Sequence, residues 1–234
     1  MRVVRFITAI LVVATALPAF AESDRDMLLE IKFGPYHPNI DSEFANATPY
    51  ADMMGGGSVL MSQLEYEYEV FNGLGVLSIG ASIGYSQDSG HQKLKSTMQD
   101  SKDSTTFHIV PLKFDLVYRF DYLAYRYNVP LVPFVKTGFD YYIWWITNGV
   151  GDVPKSADGS TGRGGTFGGH LSLGLAFLMD FFSPSTAQNF DVDVGVNNTY
   201  LFAEYVMSWV NDFGSSNSFD LSSKTFMAGI AFEF

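Results

Sequence analysis

The 234-residue chain has no cysteine. That excludes a disulfide staple, a thiol nucleophile, cysteine-ligated metal and a lipobox acylation site, so packing and hydrogen bonding alone must hold the fold. Basic residues are scarce too: 14 Lys and Arg stand against 25 Asp and Glu, a net charge of −11. Nucleic acid is not an expected partner, because neutralising phosphates takes clustered Lys and Arg. Charged residues make up only 17% of the chain, below the roughly 25% usual in soluble proteins. With 47% hydrophobic and 16% aromatic residues, the composition excludes disorder and leaves much of the surface to face something other than water. Beyond the N-terminal segment, no apolar run is long enough for a membrane helix.

Residues 1–21 read as a secretory signal peptide. Arg2 and Arg5 form the positive region, Phe6 to Leu17 the apolar region, and Ala19-Phe20-Ala21 the small-x-small cleavage site. A retained anchor fits less well, since the uncharged run falls short of the roughly 20 residues that span a bilayer. Cleavage after Ala21 leaves Glu22 first and 12 basic residues against 25 acidic ones, a net charge of −13. The remaining 22–234 read as one barrel domain.

That domain is dominated by alternation, the period-two signature of strands. In Val59 to Phe71, Leu60, Leu64, Tyr66, Tyr68 and Val70 share one face, and Gln63, Glu65, Glu67 and Glu69 the other. The Asn72-Gly73 turn signal leads into Val76 to Ser86, where Leu77, Ile79, Ala81, Ile83 and Tyr85 alternate with small residues. Equivalent patterns occupy Met27 to Phe33, Phe107 to Asp121, Leu131 to Ile146, Thr166 to Met179, Asn198 to Val210 and Phe219 to Phe234. The sum is about eight strands, an even number as single-chain bacterial barrels require.

Connections alternate in length. Polar stretches at Pro35 to Gly57, Gln87 to Thr105, Thr147 to Gly165 and Asn211 to Ser218 are long, Asn72-Gly73 is tight and Asp121 to Pro130 is intermediate. Long external loops and short periplasmic turns have this rhythm. Asp180 to Asn197 departs from it, with Ser183-Pro184-Ser185 placed to cap a short helix. Trp144, Trp145 and Trp209 all precede long loops and mark one interfacial rim, while Phe120, Tyr122, Tyr125 and Tyr127 mark the other.

The chain ends Met227-Ala228-Gly229-Ile230-Ala231-Phe232-Glu233-Phe234, which resembles the C-terminal signal by which the barrel assembly machinery recognises outer-membrane proteins. The 22–234 segment as a whole resembles small outer-membrane barrels of the OmpA/OmpX type. More narrowly, Phe33-Gly34-Pro35-Tyr36-His37-Pro38-Asn39-Ile40-Asp41, with Asn198-Thr199-Tyr200-Leu201-Phe202-Ala203-Glu204-Tyr205, is similar to a poorly characterised outer-membrane barrel family of myxobacteria and related bacteria. These resemblances imply location and fold, with no activity or catalytic residues to transfer. A secreted lipocalin-type barrel is the soluble alternative, with its apolar face turned inward. The terminal Phe, the Trp-rich rim and the loop asymmetry favour the membrane form.

If the polar face points inward, the lumen receives Glu65, Glu67, Glu69, Lys113, Asp115, Arg119, Lys136, Asp140 and Glu204. Eight strands leave room only for side chains, so an ion-paired plug is expected, with a narrow cation path as the alternative. His170 and Ser172 share a strand face, and the next strand can bring Glu204 near them; Ser, His and a carboxylate are the parts of an acyl-transfer site. His170-Leu171-Ser172 also resembles the His-x-Ser arrangement of barrels like lipid A deacylases. It departs in facing the lumen, and small polar residues fitting a crowded interior is the plainer account. His37, His91 and His108 have no metal-ligand spacing, and Gly159-Ser160-Thr161-Gly162-Arg163-Gly164-Gly165 lacks the ending of a phosphate loop.

The sequence thus points to an all-β, eight-stranded antiparallel transmembrane up-and-down β-barrel in the outer membrane of a Gram-negative bacterium. Both termini are expected in the periplasm. Expected contacts are outer-membrane lipid, lipopolysaccharide and, through Phe234, the assembly machinery. The leading role is a non-enzymatic envelope or surface protein with no catalytic residue, cofactor or metal. A lipid-modifying acyl hydrolase built on Ser172, His170 and Glu204, and a small solute pore, are the alternatives.

Overall fold

The computed structural model describes residues 26–93, 100–155, 159, 161–182, 195–215 and 218–234. The expected signal peptide and the Ser183-Pro184-Ser185 cap lie outside the described residues. Eight strands run β1 Met27–Tyr36, β2 Val59–Asn72, β3 Val76–Lys93, β4 Asp100–Arg119, β5 Leu131–Asn148, β6 Arg163–Leu178, β7 Asn198–Val210 and β8 Ser223–Glu233. Each pairs antiparallel with its sequence neighbours, and β1 pairs with β8 to close the barrel. Closure leaves no edge strand. Phe234 extends the seam, its N–H donating to the Met27 carbonyl at 2.8 Å.

Side-chain polarity is inverted relative to a soluble barrel. Phe114 is 68% exposed, Phe139 74% and Phe226 68%, whereas Glu67 is 0% and Lys136 1% exposed. Ile31, Tyr66, Ile83, Phe167 and Leu201 carry the apolar surface round the remaining strands. An apolar band on every strand far exceeds what a water-facing monomer shows and matches the lipid-facing surface of a transmembrane barrel. The lipocalin-type alternative, which needs the opposite polarity, does not describe this chain.

Three layers fill the interior. At the end where β1 begins and β8 finishes, Leu28, Ala124, Val132, Phe134, Tyr200 and Phe202 pack together. Charged residues occupy the middle. Toward the opposite mouth lies a second apolar cluster that includes Tyr36, Ile40, Tyr50, Met61, Phe107, Tyr142 and Leu221.

Several boundaries differ from the sequence reading. The expected loop Gln87 to Thr105 is largely ladder, because β3 and β4 continue pairing to Lys93 and Asp100. Apolar alternation stops near Ser86, but backbone pairing does not depend on it, and polar pairs such as Ser89 and Thr106 join their hydroxyls at 2.9 Å. The last strand starts at Ser223 rather than Phe219, since Phe219 leaves the ladder to pack on Trp144, ring centroids 4.6 Å apart. The intermediate connection holds a short helix, Tyr122–Tyr127. Trp144 shares the Trp-rich end but points into the mouth, because adjacent strand residues face opposite ways; Trp145 stacks on His108 at 4.9 Å, and Trp209 is exposed. Tyr125, expected in the opposite girdle, instead has its hydroxyl bonded by the Asn198 amide at 3.1 Å, at the lumen opening.

The first long loop folds back over the mouth. A 3-10 turn, Ile40–Glu43, precedes a short helix, Pro49–Met54, with proline in its first turn and Gly55 in the left-handed conformation after its last residue. Asp41 accepts from the Tyr50 and Ala51 N–H groups at 2.7 and 2.9 Å. The Tyr50 hydroxyl donates to Asp88 at 2.8 Å, which ties the helix to the extended β3. Gly90 makes that approach possible, since a Cβ there would lie 1.8 Å from the Met53 carbonyl oxygen. Gly90→Val is therefore expected to push the helix off the hairpin. Limited proteolysis should cut the variant faster within residues 44–58 while the heat-shifted gel migration of the folded barrel stays unchanged.

Candidate functional site

Two places bring chemistry-bearing side chains together: the middle of the lumen and the loop-covered mouth. In the lumen, Lys32, Lys113, Arg119 and Lys136 are buried among Glu30, Glu65, Glu67, Glu69, Asp115, Asp140, Glu204 and Glu233. All nine residues expected there from the sequence are present. Glu30, Lys32 and Glu233 join them; each alternates with apolar neighbours in its strand, Glu30 and Lys32 with Leu29, Ile31 and Phe33, and Glu233 with Phe232 and Phe234, a signal sufficient to include them.

The β2 glutamates fit because β3 is small where they point. Glu65, Glu67 and Glu69 pair in register with Ser82, Gly80 and Ser78. Lys136, from β5, donates to Glu30 at 2.6 Å, Glu65 at 2.9 Å and Glu67 at 3.0 Å. Carboxylate oxygens of those three glutamates lie within 4.8 Å of one another, a spacing suited to a metal ion, but the Lys136 ammonium bonds all three. Lys32 donates to Glu65 at 2.6 Å and Glu204 at 2.7 Å, which links this group to β7. Toward the end where β1 begins and β8 finishes, Arg119 bonds Glu69 and lies 3.7 Å from Glu233.

The His170, Ser172 and Glu204 set is only partly assembled. Ser172 Oγ donates to Glu204 Oε2 at 2.5 Å, as antiparallel pairing of β6 and β7 allows. His170 is held elsewhere: Nδ1 meets Asp140 at 2.6 Å and Nε2 meets Asp115 at 2.8 Å. With both ring nitrogens engaged by carboxylates, the imidazole is not placed to take the Ser172 proton. Gly138, in register with Asp115 on one side and His170 on the other, supplies the space for this clamp. Ser172 is 2% exposed and so is shut away from the lipid face.

The described interior is tightly filled. One void, lined by Leu28, Glu30, Arg119 and Phe134 among others, measures about 10 Å³, no more than one water needs. Removing one partner of such a network leaves buried charges uncompensated, at a cost of about 3–5 kcal/mol. Lys136→Ala is therefore expected to destabilise the barrel by that order, read as a lower urea midpoint for loss of the heat-shifted folded band in detergent micelles.

The mouth holds a cavity of about 630 Å³ between the first and last long loops. Its walls include Phe44, Trp144 and Phe219, with Glu43, Asn211, Ser218 and Asp220. The loops are tied together beside it: Asn39 Nδ2 donates to Asp220 Oδ2 at 2.6 Å, and the Asp220 N–H to Glu43 Oε1 at 3.1 Å. Partial burial raises the Glu43 carboxyl above the usual carboxylate range; the Asp220 N–H opposes the shift and the Asp220 carboxylate adds to it. The Trp144 indole N–H and the Ser218 hydroxyl are shut off from water without a hydrogen-bond partner among the described residues. The sequence reading missed this site because it joins residues some 180 positions apart through loops without periodic pattern. Pro49 and Gly55 were the available sign that the first loop is structured.

No family model matches the chain, and no curated protein matches it. Among solved structures, the chain is similar to Ail, the attachment invasion locus protein of Yersinia pestis, in complex with the heparin analogue sucrose octasulfate. The identity is 13%, the match covers 89% of this chain and 97% of that one, and the TM-score is 0.44. It is similar to Neisserial surface protein A at 12% identity, over 89% of this chain and 96% of that one, with a TM-score of 0.47. It is also similar to the outer membrane protein OprG from Pseudomonas aeruginosa at 14% identity, over 90% and 96%, with a TM-score of 0.46.

Proposed function

We propose that this chain is a non-enzymatic outer-membrane protein that presents a structured loop surface to the cell exterior. The observation that carries the reading is the inverted barrel: apolar outside on every strand, charged and self-paired inside. Such a wall is matched to lipid, and such an interior spends its polar groups on one another. What remains free to meet a partner is the mouth and its loops, which a rigid scaffold holds in place.

In this reading the signal peptide is cleaved after Ala21, both chain termini face the periplasm and the long loops face outward. Lipid and lipopolysaccharide surround the barrel, and the Phe234 strand is the element the assembly machinery engages. Trp145 and Trp209 at the long-loop end suit the interfacial position of amphipathic rings.

Fractionation of expressing cells, followed by protease treatment of intact cells, tests this. The mature chain is expected in the outer-membrane fraction with Glu22 at its N-terminus, a heat-shifted band, and cuts within the long loops only. Recovery as a soluble periplasmic protein, or cuts confined to the opposite end, would overturn it.

A further inference from the structure

We propose that the cavity at the barrel mouth is a binding site for a neutral or amino hexose, held between the first and last long loops. The inference deepens the surface-protein reading above and rests on it only for where the sugar comes from, the cell exterior.

The wall chemistry selects the ligand class. Phe44 is half-exposed beside the opening and offers a ring face, while Trp144 and Phe219, packed on each other with centroids 4.6 Å apart, line the wall behind it. Aromatic rings of this kind pack against the C–H face of a pyranose. Around them stand hydroxyl-matching groups: the second oxygen of the Glu43 carboxylate, the Asn211 amide and the Ser218 hydroxyl. Glu43 uses Oε1 on the Asp220 N–H and Asn211 uses Oδ1 on the Gly214 N–H, so each is oriented by one bond while its other polar atom has no hydrogen-bond partner among the described residues. Ser218 has no partner for its buried hydroxyl among the described residues, and rotation about its single side-chain bond turns it toward an occupant.

Charge and size narrow the choice further. Glu43 and Asp220 make the wall acidic, and no Lys or Arg lines the cavity among the described residues. An anionic or sulfated sugar would meet repulsion, whereas a neutral hexose meets acceptors and an amino sugar gains charge complementarity. A cavity of about 630 Å³ falls within the usual range for small-ligand sites. The ties from Asn39 and Glu43 to Asp220 bring the two loops to the ligand already joined, which lowers the ordering cost of binding.

The test uses the purified full chain folded in detergent. Glucose, galactose, N-acetylglucosamine and glucosamine are followed by saturation-transfer NMR and tryptophan emission, with choline and a sulfated disaccharide as comparison ligands. At least one of the four sugars is expected to bind, with Phe44→Ala and Trp144→Phe each weakening it by about tenfold and Val150→Ala, on a different loop, leaving it unchanged. If Trp144→Phe loses its heat-shifted band, Phe44→Ala decides, since that side chain stands largely outside the packed mouth. No sugar response, wild-type affinity retained in both pocket variants, or binding of only choline or only the sulfated disaccharide overturns the proposal. Binding by the isolated barrel does not depend on its place in the cell, so a surface-protease failure would sink the location reading and leave this result standing.

Discussion

The Lys136 ammonium, shared by Glu30, Glu65 and Glu67, is the contact on which the rest of the barrel depends. Three carboxylates from two adjacent strands converge in a space closed to water, where unpaired charge is prohibitive. A cation arriving from β5, across the lumen, makes that convergence tolerable and joins strands that do not touch through their backbones. Lys32 repeats the device between β2 and β7, Arg119 repeats it toward the end where β1 begins and β8 finishes, and His170 bridges β4 and β5 through Asp115 and Asp140. The barrel is closed by its ladder and cross-braced by charge.

That bracing shapes the other strands. β3 contributes Ser78, Gly80 and Ser82 inward, so the β2 glutamates have room to reach the centre. Apolar clusters above and below bury the network between them, and a bilayer is the solvent that suits the belt outside. The mouth cluster also anchors the first loop through Ile40 and Tyr50, so the same packing that caps the charged layer positions the rim at which the two loops meet. Folding of the scaffold and shape of the outward surface are therefore one problem.

Much of this was legible in the sequence, because period-two alternation is a local signal. Glu65, Glu67 and Glu69 against Tyr66, Tyr68 and Val70 announce a strand with one charged face, and eight such segments limit the architecture to very few forms. Pair identity was less accessible. Ser172 and Glu204 lie on adjacent strands and were foreseen as neighbours, whereas His170 meets Asp115, two strands away, only through curvature and register. Trp144 and Trp145 read alike as rim residues until the pleat turns one inward. The mouth cavity lay furthest out of reach, since Glu43 and Asp220 meet through irregular loops that carry no repeat.

Which face of the wall meets lipid decides the role of the barrel. The absence of cysteine allows single spin labels to be placed at will in the full chain reconstituted into liposomes. Cysteines replacing Phe114, Phe139 and Phe226 should give labels relaxed strongly by oxygen and weakly by a water-soluble nickel chelate. Labels at Ser78 and Ser82, on the inner face, should be immobilised and shielded from both. Strong relaxation of the three outer labels by the nickel chelate would place the apolar belt in water and contradict the inverted barrel.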